Sequence, residues 1–391
     1  MQSAPAVLDS YDAAIERARE LVPALRARVA QTEELRRLTD ESAVELIQSG
    51  LCGLLTPRRF GGSELGLEAV LDVTGILAEA CPSTGWVHAL WAAHMWLVAL
   101  FPAEVQEEVW SNPNSLISSV VSTRGTPVKV DGGYRWTGSG AYSSGIDHCN
   151  WLSPALTVPG DDGQPVRKWL LIPRSDFTIV DDWFTVGLKG TGSKTIVVDD
   201  VFIPENRAVS SDDMQAGTAP GARLHPNPQY AAPSVCIFTP PLAGTAIGAA
   251  RGFLSAFEQR MRARLAAADP QTTGEQAATL IRWARACADI DAARAVLMDN
   301  ARRFSRTPSS QIVELDRARC RRDQAYAATV ARQAVNSLFE ASGASALFAS
   351  SDLQRLWRDT NAAAAHHGLM WDIHGLSWGR ISMGLPSNPG G

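Results

Sequence analysis

No two of the six cysteines stand at the spacing of a CxxC pair. That argues against a structural zinc site and a disulfide framework, and for free thiols in a reducing, cytoplasmic setting. An uninterrupted apolar run of about 18 residues is also missing, so no membrane-spanning helix is expected. The most apolar window, Trp86–Phe101, is broken by His88 and His94 and reads as a buried core helix. The start, MQSAPAVLDS, lacks the basic segment and apolar run of a secretory signal. There is no long block of like charge. The net charge is −5, and acids or apolar residues at helical spacing interrupt the basic stretches Arg17–Arg37, Arg251–Arg264 and Arg317–Arg322. These read as solvated helix faces, not as a nucleic-acid surface. A GxGxxG between strand and helix is absent too, so no nicotinamide site is expected. No Cys/His spacing points to a metal.

What is present divides into helical, strand-rich and again helical thirds. Residues 1–113 carry helical signals. Thr39-Asp40-Glu41-Ser42 opens one helix, with Val44, Leu46, Ile47 and Leu51 on its apolar face. Ser83-Thr84 precedes a second, Gly85–Leu100, and Pro102 suits the first turn of a third. Residues 114–211 change to short β-rich runs: Leu116–Val121, Val128–Val130, Tyr134–Thr137, Trp151–Val158, Trp169–Ile172 and Thr195–Ile203. Asp131-Gly132-Gly133 and Gly160–Gly163 read as hairpin turns, and the whole as a barrel or a sandwich. Residues 212–241, rich in Pro and Gly, read as a long connecting loop. From 242 to 391 the expectation is a four-helix bundle and tail, with helices Leu242–Ala268, Gly274–Ser305, Ser309–Ser342 and Asp352–His366.

Four stretches carry a resemblance. They are Ser83-Thr-Gly-Trp86 with His94 and Phe101–Trp110; Gly133–Gly138 with Tyr142-Ser-Ser-Gly-Ile-Asp-His-Cys-Asn-Trp151; Trp183–Pro204; and Leu356-Trp-Arg-Asp359 with His366. The chain resembles the acyl-CoA dehydrogenase superfamily over nearly its whole length. Within it, the details resemble the oxygenase components of two-component flavin-dependent monooxygenases, the branch that hydroxylates 4-hydroxyphenylacetate and 3-hydroxy-seco-androstanedione. The implied fold is multidomain α+β: helical N-terminal domain, middle β-barrel or sandwich, C-terminal four-helix bundle.

The resemblance also implies chemistry. Reduced FMN or FAD, supplied by a separate NAD(P)H:flavin reductase, reacts with O2 to give a C4a-hydroperoxide that hydroxylates an aromatic ring. Ser143 or Ser144, with Ser144 favoured, matches the serine near flavin N5, where a hydroxyl or backbone N–H holds the hydroperoxide by hydrogen bonding. Trp86, Gly190, Thr191 and Ser193 complete the cofactor set, and the glycines of Gly187–Gly192 form a turn that lets backbone approach a ligand. His366 matches a histidine of the last bundle helix that deprotonates or orients a phenol. His94 matches a second histidine on the substrate side. Trp91, Phe238, His367 and Trp371 are further substrate candidates, being flat or aromatic partners for a flat ring. His148 reads as structural. A homotetramer is the implied assembly.

A dehydrogenase on the same scaffold needs a carboxylate base, and the position two turns after Arg358-Asp359 reads His366-His367-Gly368 instead. An acyl-CoA dehydrogenase, an N-hydroxylating enzyme and a non-catalytic binding protein are the alternatives. The departure after His367, Gly368-Leu-Met-Trp-Asp-Ile-His-Gly, points away from a simple phenylacetate or steroid and toward a polycyclic or indole-like substrate.

Overall fold

The computed structural model describes residues 3–160, 163–267, 277–307 and 309–387. Six helices come first: α1 (Tyr11–Ala27), α2 (Val29–Leu35), α3 (Asp40–Gln48), α4 (Leu67–Ala80), α5 (Pro82–Val98) and α6 (Ala103–Trp110). Local chemistry sets their starts. Ser10 caps α1 and Thr39 caps α3, each side chain accepting a backbone N–H of the first turn. Leu46 is buried on α3, but Val44 faces solvent, and Leu51 lies beyond the helix in a 3-10 turn. α5 begins at Pro82, so Ser83 and Thr84 sit buried in its first turn instead of preceding it. Every residue of α5 except Leu90 is buried. A helix apolar all round belongs at the centre of a core, and α5 packs between α4, α8 and the β region.

Among the described residues ten strands follow: β1 (Ile117–Val120), β2 (Ser122–Arg124), β3 (Val128–Val130), β4 (Gly133–Ser143), β5 (Trp151–Pro159), β6 (Pro165–Leu170), β7 (Ile172–Pro173), β8 (Thr178–Val180), β9 (Lys194–Pro204) and β10 (Ala208–Ser210). They form two five-stranded sheets, one ordered β1-β5-β6-β10 with β7 on β5, the other β2-β4-β9-β8 with β3 on β4. The sheets face one another as a sandwich, and only Val121 separates β1 in one from β2 in the other. Both expected hairpins pair antiparallel, β3 with β4 and β5 with β6.

The connector is not an open loop. It holds α7 (Ser211–Ala216) and 3-10 turns at Pro220–Arg223, Pro228–Ala231 and Ser234–Cys236. Tyr230, fully buried, ties it to the N-terminal helices by donating its hydroxyl to the Leu55 carbonyl at 3.0 Å. The bundle consists of α8 (Pro240–Ala267), α9 (Ala277–Arg306), α10 (Glu314–Glu340) and α11 (Asp352–Ala364), with α12 (Trp371–Ser382) packed on α10. The start expected for α9, Gly274, lies outside the described residues. α4, α5 and α8 pack together, so the N-terminal helices and the bundle share one core.

Candidate active site

Three segments converge beside α5. β4 ends with a register shift against β9 between Gly140 and Ser143. Tyr142 there takes a left-handed backbone (φ 70°), which is strained for a side chain of its size. The break turns Ser143 and Ser144 inward, leaving Ser143 fully buried and Ser144 5% exposed. The turn from Lys189 to Ser193 brings Thr191 and Ser193 alongside. Ser144 Oγ lies 2.7 Å from Ser193 Oγ, which lies 2.7 Å from Thr191 Oγ1. Trp86, on α5, donates its indole N–H to Ser144 Oγ at 3.2 Å. The expected cofactor residues Ser143, Ser144, Trp86, Gly190, Thr191 and Ser193 are thus brought together.

The glycine turn serves packing. A Cβ on Gly187 would stand 2.5 Å from the Arg358 carbonyl oxygen of α11, and one on Gly190 would stand 2.2 Å from Thr32 Cγ2. These two glycines admit neighbouring protein, the backbone of α11 and the side chain of Thr32. The turn is also anchored electrostatically. Asp359 of α11, 3% exposed, accepts the Leu188 N–H at 2.7 Å. Burial raises that carboxyl to about 6.

His366 lies beyond α11, which ends at Ala364, in place of the expected helical position. It caps the turn His367–Leu369: Nδ1 accepts the Gly368 N–H at 3.1 Å. The neutral ring therefore carries its proton on Nε2. Its edge meets Trp86, with ring centroids 5.4 Å apart. By accessible surface His366 is only half-buried, yet it is crowded by protein atoms. That crowding, with His367 and His374 adding to it, lowers its pKa to about 4. With Nδ1 occupied by the Gly368 N–H, the neutral ring presents Nε2–H as a donor.

His94 is held at both nitrogens. Nδ1–H donates to the Ile117 carbonyl at 2.8 Å, because a carbonyl only accepts. Nε2 then accepts from the Ser119 hydroxyl at 2.8 Å. Burial lowers His94 to about 4 as well. Its ring lies 5.9 Å from Phe238, which stacks on Trp169 at 5.3 Å and 9° and meets Trp96 edge-on. Ser119, half-buried, is not marked out by the sequence; the available signal is the Ser118-Ser119 pair inside the apolar run Leu116–Val121.

Other candidates lie apart. Trp91 is core, filling the space beside Gly145 and 6.2 Å from His148. His367 is exposed and turns toward His374; Trp371 opens α12 against Tyr326. His148 bonds the Leu38 carbonyl, a structural contact, and His88 bonds Thr74 and Leu51. A separate cleft of 450 Å³, lined by Tyr11, Asp72, Arg251 and Arg294 among others, is far from this chemistry; its Tyr11, Asp72 and Arg294 satisfy one another. Among the described residues no group of three or more His, Cys, Asp or Glu is arranged for a metal.

Comparison with known proteins decides the family. Residues 241–371 match the family described as acyl-CoA dehydrogenase, C-terminal domain. The chain is 37% identical to the flavin-dependent monooxygenase, oxygenase subunit HsaA, of Rhodococcus jostii, over 95% of this chain and 98% of the relative. It is 34% identical to the FADH(2)-dependent resorcinol hydroxylase, oxygenase component, of a Rhizobium strain, over 92% and 91%. The solved structure of 3-HSA hydroxylase from Rhodococcus sp. RHA1 superposes with a TM-score of 0.92 at 35% identity, covering 97% of this chain and 100% of that one. The chain belongs to the oxygenase components of the flavin-dependent monooxygenases. The dehydrogenase alternative is set aside, in keeping with a site where His366 stands in place of a carboxylate. As a reduced-flavin-dependent oxygenase on the acyl-CoA dehydrogenase scaffold, the protein has residues that fit a flavin ring. Trp86 and His366 are neighbouring aromatic groups with the Ser144 and Ser193 hydroxyls beside Trp86, side-chain types that would suit a flat ring carrying N–H and C=O groups.

Proposed function

We propose that this oxygenase hydroxylates the ring of a phenol, with the phenolic oxygen held at Ser119 and His94 and the flavin held at Ser144, Thr191, Ser193 and Trp86. The observation that carries the reading is the hydrogen-bonded line Ser119–His94–Ile117 beside the Phe238–Trp169 stack. Reduced FMN or FAD, when bound, supplies the electrons with which O2 is split between the ring and water. A separate NAD(P)H-dependent reductase supplies that flavin by diffusion. Reduced-flavin use and separate components in the names of relatives support this, as does the missing nicotinamide motif.

The chain's own part is proton handling and placement. A phenolic O–H donates to Ser119 Oγ while the Ser119 proton passes to His94 Nε2, leaving a phenolate and an imidazolium. The phenolate supplies the counter-charge that burial otherwise denies His94, and the Nδ1–H bond to Ile117 fixes the ring. A phenolate ring is the more nucleophilic partner for an electrophilic oxygen. His366 donates Nε2–H toward negative charge that develops near Trp86. Phe238 and Trp169 give a flat shelf for a ring, which suits a polycyclic or indole-like phenol. His367 and Trp371 have no part in this reading.

Exposed Ile281, Leu347 and Phe348 on the bundle side of the fold support a homotetramer, checked by light scattering. Six free thiols, five of them buried, support a cytoplasmic setting.

The test uses 4-nitrophenol, whose phenolate absorbs apart from the phenol. Bound to the wild-type protein it should ionise at lower pH than in water. His94→Ala should abolish that shift, and Ser119→Ala should reduce it. Binding with an unchanged ionisation pH would contradict the reading.

A further inference from the structure

Ser119 has a second serine beside it on the neighbouring strand. β1 and β5 run parallel, and Ser119 is the register partner of Ser153. Successive side chains of a strand alternate between faces, so partners in a parallel pair share a face. Ser119 reaches His94 from that face, which places Ser153 on it as well. An independent pairing agrees. Ala155, two residues beyond Ser153 and so on the same face, is the partner of Trp169, whose ring stacks on Phe238. Ser153 therefore shares one sheet face with the Ser119–His94 pair and with the Phe238–Trp169 shelf.

Its hydroxyl is out of place there. Ser153 is fully buried, and its Oγ has no hydrogen-bond partner among the described residues. Burial of an unpaired hydroxyl costs stability, and native folds keep few of them. Ser118, also fully buried but on the opposite face of β1, is the contrast: it is bonded to Ser143 Oγ and to the Ser144 carbonyl, each at 2.8 Å. The fold thus satisfies the serine that faces away from His94 and leaves unpaired the one that shares the face of Ser119.

We infer that Ser153 is a further substrate-binding residue, whose hydroxyl donates to the same phenolic oxygen that Ser119 holds. The inference rests on the reading that Ser119 and His94 take the phenolic oxygen. Spacing decides for one shared oxygen. Neighbouring strands lie about 4.8 Å apart, so two serines in register present their hydroxyls at about that separation. Two donors that each approach one oxygen to about 2.8 Å, along lone-pair directions roughly 120° apart, are themselves about 4.8 Å apart.

Proton balance gives Ser153 its role. When the phenol proton has passed to Ser119 and the Ser119 proton to His94, the oxygen is anionic and Ser119 is its one donor. Ser153 has a proton to give and no competing acceptor. A hydrogen bond to an anionic oxygen is roughly twice as strong as one between neutral groups, so Ser153 favours the phenolate over the phenol. The substrate class narrows accordingly to a ring with a free phenolic hydroxyl. An aryl ether carries carbon in one of the two donor directions, and an indole N–H has no lone pair in its plane for Ser153.

The experiment titrates the purified full chain with 4-nitrophenol across pH, and with 4-nitroanisole, which keeps the ring and lacks the ionisable oxygen. Ser153→Ala should raise the pH at which bound 4-nitrophenol ionises by about one unit, a tenfold loss of preference for the phenolate. Its affinity for 4-nitroanisole should stay at the wild-type value, which a distorted pocket would not allow. Because the variant removes an unpaired buried hydroxyl, it should melt no lower than the wild-type protein without ligand. A wild-type ionisation shift that persists unchanged in Ser153→Ala would overturn the inference and leave the Ser119–His94 reading standing. A variant that melts well below the wild type, or does not fold, would show that the hydroxyl serves the fold and would overturn it too. No ionisation shift in the wild-type protein would overturn the reading of Ser119 and His94, and this inference with it.

Discussion

Trp86 donates to Ser144 and lays its ring against His366, so the two functions separate by substitution. Trp86→Phe keeps an aromatic wall and removes the donor. One net hydrogen bond is worth about 0.5–1.5 kcal/mol, so reduced-flavin binding should weaken by a few-fold in titration. His366 separates likewise. His366→Asn keeps a side-chain N–H donor, whereas His366→Leu has none. If donation to developing charge is its role, the Leu variant should lose roughly 100-fold in kcat, and the Asn variant distinctly less. Equal loss in both would indicate that the ring itself is needed. This donor role was hidden in the sequence, where Ala362-Ala-Ala-Ala-His-His reads as uninterrupted helix. The helix instead ends at Ala364, and His366 becomes a cap whose Nδ1 is occupied.

At the scale of elements, α11 and the glycine turn form one clasp. Arg358 donates to the Val186 carbonyl and to Glu33 of α2, while Asp359 holds Leu188. Asp359→Ala leaves a buried N–H unpaired and should cost about 1–3 kcal/mol in denaturant unfolding, and Asp359→Asn, which keeps an acceptor, should cost less. Gly187→Ala would drive a Cβ to 2.5 Å from the Arg358 carbonyl oxygen, an overpacking that should also cost about 1–3 kcal/mol. The strong elements were legible from the chain: the capped α3, the apolar α5, the two glycine hairpins and the long periodic bundle helices. The weak ones were not. β2, β8 and β10 have three residues each, too short for their alternation to stand out, and β2 and β8 bury no residue fully, so their pairing comes from the sheet around them. The same limit applies within the site. Ser144, Ser193 and Trp86 were each picked out, but their bonds join residues 49 and 58 positions apart, and no local pattern encodes that. Ser119 was overlooked because its partner, His94, lies on a different element.

Across the whole molecule, burial of histidine sets acid stability. His88 and His94 are at most 1% exposed, and burial lowers each from 6.5 to about 4. The unfolded chain takes up protons on both below about pH 6.5, while the folded chain resists until about pH 4. Stability is thus complete above 6.5 and is lost as pH falls through that window, by up to about 1.4 kcal/mol per pH unit for each group. Asp359 opposes this: its raised pKa favours the folded state on acidification from about 6 toward 3.8. Glu79, also raised by burial, acts in the same sense as Asp359, but His366 and His374 are lowered to about 4 as well, so the histidines outweigh the carboxyls and unfolding midpoints should fall on acidification from pH 6.5 to 5. Midpoints that rise instead would mean that His88 and His94 are protonated in the fold. The shared core of α4, α5 and α8 makes this a property of the molecule, because His88 and His94 sit on its central helix.

This chain is expected to place one atom of O2 on an aromatic ring using flavin reduced elsewhere. That expectation is tested most directly with ¹⁸O2. The purified protein, chemically reduced FMN or FAD and a panel of mono- and polycyclic phenols are mixed, and product mass is read. One ¹⁸O atom is expected in a new ring hydroxyl, lost in the His94→Ala variant. Reduced flavin consumed entirely to hydrogen peroxide across the panel, or product oxygen drawn from water, would contradict it.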